Sequence, residues 1–440
     1  MGFSKVAALL PLLLSSFSTA APTEAARLES RAGDYSTIYD AVIVGGGPAG
    51  LSCTILASGL ARVRRNILLI DSGVYRNDPT RHMHDVIGSD AWRRWSSSFG
   101  RSFKVLTNHT GVAPAYFRYK AREQLAYYST ALLINGTVTS IEAAPGGNAT
   151  AQSGPFTVRT TYPSGEETTA GARGIILATG LTDIIPGTPG VKENWGKGIF
   201  WCPWCDGNEH ADQPLGILSN LDEAASLSQE ISTLNDNIIA FVNGTNTPEM
   251  RATTNKKFPG WEEYLQLRNI TVENRTISGL VRLADGGVNE HPEAPTFPEK
   301  DLFRVDFTEG PSVERAAFFA SFPNRQHSSV GADMGVRLDG GRLAADSTRG
   351  LMTNIAGVYA IGDANADNVT NVPHAMFSGK RAAVFLHVAL ARQETARLLA
   401  QANGTSVEER DLEGELDPRA IWEVMNGGEA DILDAGDFEQ

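Results

Sequence analysis

The stretch from Tyr39 to Asp71 constrains the fold more than any other part of the chain. Tyr39-Asp-Ala-Val-Ile-Val is a short, apolar, β-branched run that reads as a buried parallel strand. Gly45-Gly46-Gly47-Pro48-Ala49-Gly50 follows, then a helical segment from Leu51 to Ser58, then the strand Asn66-Ile-Leu-Leu-Ile-Asp71. The three spaced glycines differ in what they permit. Gly45 allows the tight turn, Gly47 lets backbone approach a pyrophosphate, and Gly50 lets helix pack on strand. Pro48 and Ala49 open the helix, whose positive end faces the phosphates. Asp71, followed by Ser72, ends the second strand where it can accept from ribose hydroxyls. Strand, turn, helix, strand and acid in register predict the opening of a doubly wound α/β dinucleotide fold.

The rest of the composition sets limits on this unit. A chain of 440 residues calls for two or three domains. A net charge of −13 argues against nucleic acid or an anionic membrane as main partner. Ten of those charges fall between 407 and 440, where twelve carboxylates face only Arg410 and Arg419, so 399–440 reads as an acidic tail. Three cysteines, Cys53, Cys202 and Cys205, exclude a disulfide scaffold and a four-thiolate zinc site, and no metal centre is expected. Lys5, the apolar run Val6–Leu14 and the small residues to Ala20 and Ala21 read as a signal peptide over 1–20, with 21–37 a leader or short propeptide. The apolar run is about half a membrane span. Eight glycosylation sequons agree with secretion: Asn108, Asn135, Asn148, Asn243, Asn269, Asn274, Asn368 and Asn403.

Two later strands carry further motifs. Gly174-Ile-Ile-Leu-Ala178-Thr179-Gly180 ends in Ala-Thr-Gly, and Gly357-Val-Tyr-Ala-Ile-Gly362-Asp363 ends in an acid suited to a ribityl hydroxyl. Together with the glycine turn, and in this order, these motifs resemble the flavin domain of the thioredoxin-reductase-like flavoproteins over roughly residues 38–395. The resemblance implies FAD, a homodimer and an α/β architecture of two Rossmann-like domains. The FAD-binding domain would be discontinuous, 38–185 and 310–398, with a cysteine-bearing domain inserted at 186–309. Pro186 and Pro189 mark the first seam, and a Pro/Glu-rich stretch at 291–300 lies near the second.

The inserted segment opens with Phe200-Trp201-Cys202-Pro203-Trp204-Cys205-Asp206-Gly207. Two cysteines at this spacing suit a zinc site completed by histidines, a structural disulfide, or a redox pair whose thiolate a helix start stabilises. Beside a flavin domain the redox pair is the reading adopted. By the resemblance, Cys205 would face the flavin, Cys202 would exchange with substrate thiols, and Asp206 would move the proton. Trp201 and Trp204 either wall the entrance or are ordinary core aromatics. Cys53, early in the first helix, reads as a small buried hydrophobe.

The family pattern breaks where a second glycine turn, for NADPH, belongs. After Gly216 the turn holds Ser219, Asn220 and Leu221, and the next strand runs into the sequon at Asn243 with no arginine cluster. NADPH use is therefore not expected. The chain is similar instead to fungal secreted sulfhydryl oxidases and gliotoxin-type dithiol oxidases, which implies oxidation of thiols with O₂ as acceptor. The latter often carry His after the second cysteine. Asp206 stands there, which puts small thiols such as glutathione ahead of dithiol natural products. A reductase with another electron donor is the alternative. His374, just after Pro373 at a helix start, is the expected base, although it also fits a histidine merely packed there. His210 and the pair His82 and His84 are weaker candidates, and two histidines alone do not make a metal site.

Overall fold

The computed structural model describes residues 38–55, 59–86, 112–143, 155–287 and 298–404. The signal peptide, the leader, Asn108, Asn148 and the tail beyond 404 lie outside the described residues. Two five-stranded parallel sheets organise the molecule. In the first the strand order is Val358–Ala360, Ile175–Leu177, Ala41–Val44, Ile67–Asp71, Ala131–Asn135. In the second it is Ile199–Phe200, Ala317–Ala320, Leu215–Leu218, Ile238–Phe241, Thr271–Glu273. Both orders put the first long strand at the centre and step outward either way, the pattern of a doubly wound sheet. Strands buried on both faces need continuous apolar runs, and Ala-Val-Ile-Val, Ile-Leu-Leu-Ile and Ala-Phe-Phe-Ala supply them.

An antiparallel layer accompanies each sheet: Thr137–Ala143, Phe156–Thr161 and Glu167–Ala172 beside the first, and Ile277–Ala284, Leu302–Phe307 and Val313–Arg315 beside the second. The chain passes between sheets twice, through Leu181–Asp183 and Asn324–Gln326, which pair antiparallel with each other. That pairing corrects the second expected seam. Residues 317–320 form a strand inside the second sheet, between Ile199–Phe200 and Leu215–Leu218, so 310–320 goes with the inserted segment. The Ala317–Ala320 run announces a buried strand, but nothing in it says which sheet it joins. Residues 291–297 of the Pro/Glu-rich stretch lie outside the described residues, and Leu302–Phe307, which follows it, belongs to the antiparallel layer beside the second sheet.

The helix Pro48–Ile55 packs against the long helix Val372–Asn403. Contact is close: a Cβ on Gly379 would lie 2.3 Å from the Ala49 carbonyl oxygen and 2.9 Å from the Cys53 nitrogen. Cys53 is fully buried here, and burial pushes its thiol well above the usual range, as an inert core residue requires. The long helix ends at Asn403, so the tail starts five residues later than 399. No helix among the described residues is long and apolar enough to cross a membrane. The six described sequon asparagines, Asn135, Asn243, Asn269, Asn274, Asn368 and Asn403, are all exposed.

Candidate active site

The carboxyl ends of the first sheet's strands open into a cleft. The glycine turn forms one wall, and the three glycines behave as their spacing requires. Gly45 has φ +114°, a conformation that side chains other than hydrogen rarely adopt. A Cβ on Gly50 would sit 1.9 Å from the Gly45 carbonyl oxygen, whereas a Cβ on Gly47 would meet nothing within 4 Å and would project into open space. Gly47, Pro48, Ala49, Ser72, Ala178, Thr179, Gly180, Gly362 and Asp363 all line the cleft. Gly180 has φ +69° and equally open space at its Cβ position. Thr179 Oγ1 is buried without a hydrogen-bond partner among the described residues. Open backbone at Gly47 and Gly180 and an unsatisfied hydroxyl between two strand ends fit an extended dinucleotide, with Asp71 at one end and the cysteine pair at the other.

Three partners of the two acids carry no sequence signal. Asp71 is 1% exposed and accepts from the Tyr75 hydroxyl at 2.5 Å, from Gly73 N–H at 3.0 Å and from Arg122. Burial and the Asp71 carboxylate push the Tyr75 phenol up to about 12. Arg76 donates to Asp183 through two nitrogens, at 2.9 and 2.7 Å, and to Asp363 at 2.9 Å. It thereby ties the crossover strand to the end of Val358–Ala360, and it stands 5.8 Å from the Trp201 ring centre.

Cys202 and Cys205 are joined as a disulfide, and both line the cleft. The helix expected at this motif is a single turn, Pro203–Asp206, so a helix terminus contributes little to any thiolate here. Trp201 lines the cleft, stacked on Trp195 with ring centres 5.0 Å apart, while Trp204 is 77% exposed and is not on the lining. Asp206 lies on the lining too. Its carboxyl is held well above the usual range, first by burial and then by Glu299, Glu209 and Asp85, against which Arg81 acts in the other direction. That direction favours the protonated form of Asp206, which suits it to carry a proton.

The histidines are sorted differently from expectation. His374 does not line the cleft: its Nε2 lies 2.7 Å from Asp367 Oδ2. Asn371, Val372 and Ala375 supply the helix's first-turn wall. Asn371 is the helix cap, Val372 and Ala375 share one face of the helix, and His374 is rotated about 100° from Ala375, toward Asp367. His82 and His327 do line it. His327 Nδ1 is paired with Thr182 Oγ1 at 2.9 Å, beside the crossover strand. His210 is fully buried, with Nδ1 donating to the Asp206 carbonyl at 2.9 Å and Nε2 3.5 Å from Asp301. His210, Glu299 and Asp301 place ligand-type atoms within 4.8 Å of one another. The space among them is taken, because Arg81 Nη1 binds both Glu299 Oε2 and Asp301 Oδ2, and Arg282 binds Asp301 as well.

The second sheet has a comparable turn, closed by its own residues. Leu221 N–H, at the start of helix Leu221–Ile231, donates to Thr245 Oγ1 at 3.0 Å, and that hydroxyl donates to Val242 O at 2.7 Å. Asp222 and Glu223 occupy the same first turn and are bridged by Lys257 at 2.5 and 2.7 Å. A dinucleotide phosphate at this turn would displace the threonine and face two carboxylates. Gly216, the one glycine left in the strand, serves packing: its Cβ would lie 2.4 Å from the Phe318 ring.

Known proteins place this arrangement. The sequence family described as pyridine nucleotide-disulphide oxidoreductase matches residues 39–227. A protein of Arthroderma benhamiae named "Probable thioredoxin reductase" is 41% identical over 368 residues, covering 82% of this chain and 83% of its own. "Thioredoxin reductase tcpT" of Claviceps purpurea is 28% identical over 84% of this chain and 97% of its own. Among solved structures, HlmI superposes with a TM-score of 0.64 at 25% identity, covering 83% of this chain and 96% of that one. An oxidoreductase from Agrobacterium tumefaciens gives 0.60 at 25% identity, over 81% and 99%.

Proposed function

This chain belongs to the thioredoxin-reductase-like pyridine nucleotide-disulphide oxidoreductases, and we propose that within the family it is a secreted, FAD-dependent sulfhydryl oxidase. The reaction is 2 RSH + O₂ → RSSR + H₂O₂, with glutathione or a similar small thiol as substrate. A thiol opens the Cys202–Cys205 disulfide at Cys202, a second thiol resolves the mixed disulfide, and the pair leaves as a dithiol. FAD in the cleft would take two electrons from that dithiol and pass them to O₂. Gly45, Gly47 and Gly50 shape the turn for its pyrophosphate, with Pro48 and Ala49 starting the helix behind it. Asp71 and Ser72 would hold its ribose, Ala178, Thr179 and Gly180 would lie along its middle, and Gly362 and Asp363 would meet its ribityl chain; all seven line the cleft. Asp206, whose carboxyl is pushed up by burial and neighbouring carboxylates, supplies a proton to the departing thiolate.

The observation that carries the oxidase reading is the second-sheet turn. A pyridine nucleotide there would have to displace the Thr245 hydroxyl and settle beside Asp222 and Glu223. Secretion rests on the N-terminal sequence and is supported by the exposed sequon asparagines. The reductase reading is favoured by the names of the relatives. One experiment separates the two. The purified flavoprotein, mixed with glutathione in an oxygen electrode, should consume O₂ and release peroxide, and anaerobic NADPH should leave the flavin spectrum unchanged. Bleaching by NADPH without thiol-driven O₂ uptake would install the reductase in its place.

A further inference from the structure

The thiol that opens the disulfide must lose a proton, and the residue expected to take it is turned away. His374 lies 2.7 Å from Asp367 off the cleft, and burial with neighbouring carboxylates pushes the Asp206 carboxyl up, against the ionised form a base needs. Asp85, also on the lining, is pushed up by burial and already accepts from Val372 N–H at 3.2 Å. The segment Arg81-His82-Met83-His84 runs along this same wall. In extended backbone, residues two apart point the same way. Accordingly His82 and His84 both meet carboxylates of the inserted segment: His82 Nδ1 lies 3.5 Å from Glu299 Oε1, and His84 Nδ1 lies 3.8 Å from Glu209 Oε1. Of the two, only His82 lines the cleft that holds Cys202, Cys205 and Asp206.

We propose that His82 is the acid–base residue for thiol exchange, accepting the substrate proton at Nε2 while Glu299 stands 3.5 Å from Nδ1 on the far side of the ring. The inference rests on the reading that thiols open the Cys202–Cys205 disulfide. In the step, the sulfur of RSH bonds to Cys202 Sγ and the Cys202–Cys205 bond breaks. Its electron pair stays on Cys205 Sγ as a thiolate, and the proton of RSH moves to His82. No electron leaves the three sulfurs. Glu299 faces His82 Nδ1, the His84 ring lies 5.8 Å away, and Glu209 stands 3.8 Å from His84 Nδ1. Arg81 is the opposing cation, and its charge is spent on Glu299, Asp301 and Asp285. A carboxylate that orients the far nitrogen of an imidazole and steadies its protonated form is an established catalytic arrangement.

The test is disulfide opening rather than turnover. The oxidised flavoprotein is mixed anaerobically with 2-mercaptoethanol, quenched with N-ethylmaleimide at intervals, and the mass of the Cys202–Cys205 peptide is measured. At about pH 7, where an ordinary imidazole is mostly neutral and the thiol is not yet ionised, His82→Gln should open roughly a hundredfold more slowly than the wild type. The gap should close as the pH rises past about 8.5 and the thiol ionises unaided. It should also shrink at about pH 7 for a fluorinated thiol that ionises at lower pH. A defect equal at all pH values and for both thiols marks a structural role and overturns the proposal, as does no defect. The same signature appearing in His327→Gln instead would move the base to the opposite wall. Should His82→Gln not fold, the wild type still decides: opening rates at about pH 7 that track only the thiolate fraction of each thiol leave no base to assign. Absent O₂ uptake with normal opening would remove the oxidase and leave His82 in place.

Discussion

Gly47 and Gly50 stand three residues apart on one turn, and the structure separates their duties sharply enough to test. In Gly50→Ala, the new Cβ would lie 1.9 Å from the Gly45 carbonyl oxygen and 3.4 Å from the Ala178 Cβ. The first contact is with backbone, which cannot rotate aside, so the turn itself must move. Overpacking of this kind costs about 1–3 kcal/mol, and the helical preference of alanine over glycine returns at most about 1 kcal/mol. The expected net loss is about 2 kcal/mol, or a fall of roughly 4–8 °C in Tm for a domain of this size. In Gly47→Ala the added methyl meets no atom within 4 Å, so stability of the flavin-free protein should change by less than about 0.5 kcal/mol. What it should lose is the cofactor, because the methyl stands where backbone must approach a pyrophosphate. Thermal melts with and without added FAD, together with the flavin retained after desalting, read both effects. Gly47→Ala should melt with the flavin-free wild type and show at least about a tenfold weaker hold on FAD. Retention of FAD at the wild-type level by Gly47→Ala would refute the assignment of this turn to a pyrophosphate.

Three further perturbations probe the site and its frame. Cys202→Ser and Cys205→Ser should each abolish thiol-driven O₂ uptake while keeping the flavin spectrum, and turnover surviving in either would remove the disulfide from the reaction. Asp206→Asn should slow thiol exchange yet raise Tm at neutral pH, because burial and three neighbouring carboxylates disfavour the Asp206 carboxylate in the folded state. With the folded carboxyl titrating above its unfolded value, its stabilisation is complete below about pH 4 and is lost as pH rises, so the Tm gain should grow with pH. Glu394 has the opposite sign: Arg65, then Arg173, hold its carboxyl down to about 2, so the loss of Tm in Glu394→Gln should be present above about pH 4.5 and vanish toward pH 2. Since Glu394 is 40% exposed, that effect should also shrink in high salt.

How much of the site is legible in the chain follows from how each feature is written there. The glycine turn, Ala178-Thr179-Gly180, Gly362-Asp363 and the cysteine pair are local signals, each set by a strand end or a tight turn, and the fold brings all of them to one cleft. Arg76, Arg81 and Arg122 are invisible in sequence because their partners lie up to 287 residues away and arginine has no positional signature. Helical phase alone removes His374 from its expected place: the helix starts where Pro373 announces it, but the side facing the cleft belongs to 372 and 375. For His82 a signal does exist, since the alternation His-Met-His puts two side chains on one face of an extended segment as readily as it suggests a metal pair.

The two parallel sheets share one strand order and part company at a single turn each, which bears on what the second sheet is for. In the first sheet, the strand Ala41–Val44 runs into a turn whose backbone is left open at Gly47. In the second, the strand Leu215–Leu218 runs into a turn whose helix N–H is taken by Thr245. A helix start is an anion site only while its N–H groups are free and its first turn is not acidic. Leu221 to Glu223 fail on both counts, yet the sheet around them is fully packed, with Phe318, Phe319 and Ile217 completely buried. Such a core is more than a vestigial turn needs. Its edge strand Ile199–Phe200 leads directly into Trp201 and Cys202. Arg81, His82 and His84 of the first segment meet its Glu299, Asp301, Asp285 and Glu209. The second sheet thus presents the Cys202–Cys205 turn to the cleft through its edge strand, a duty separate from any nucleotide binding at its own turn.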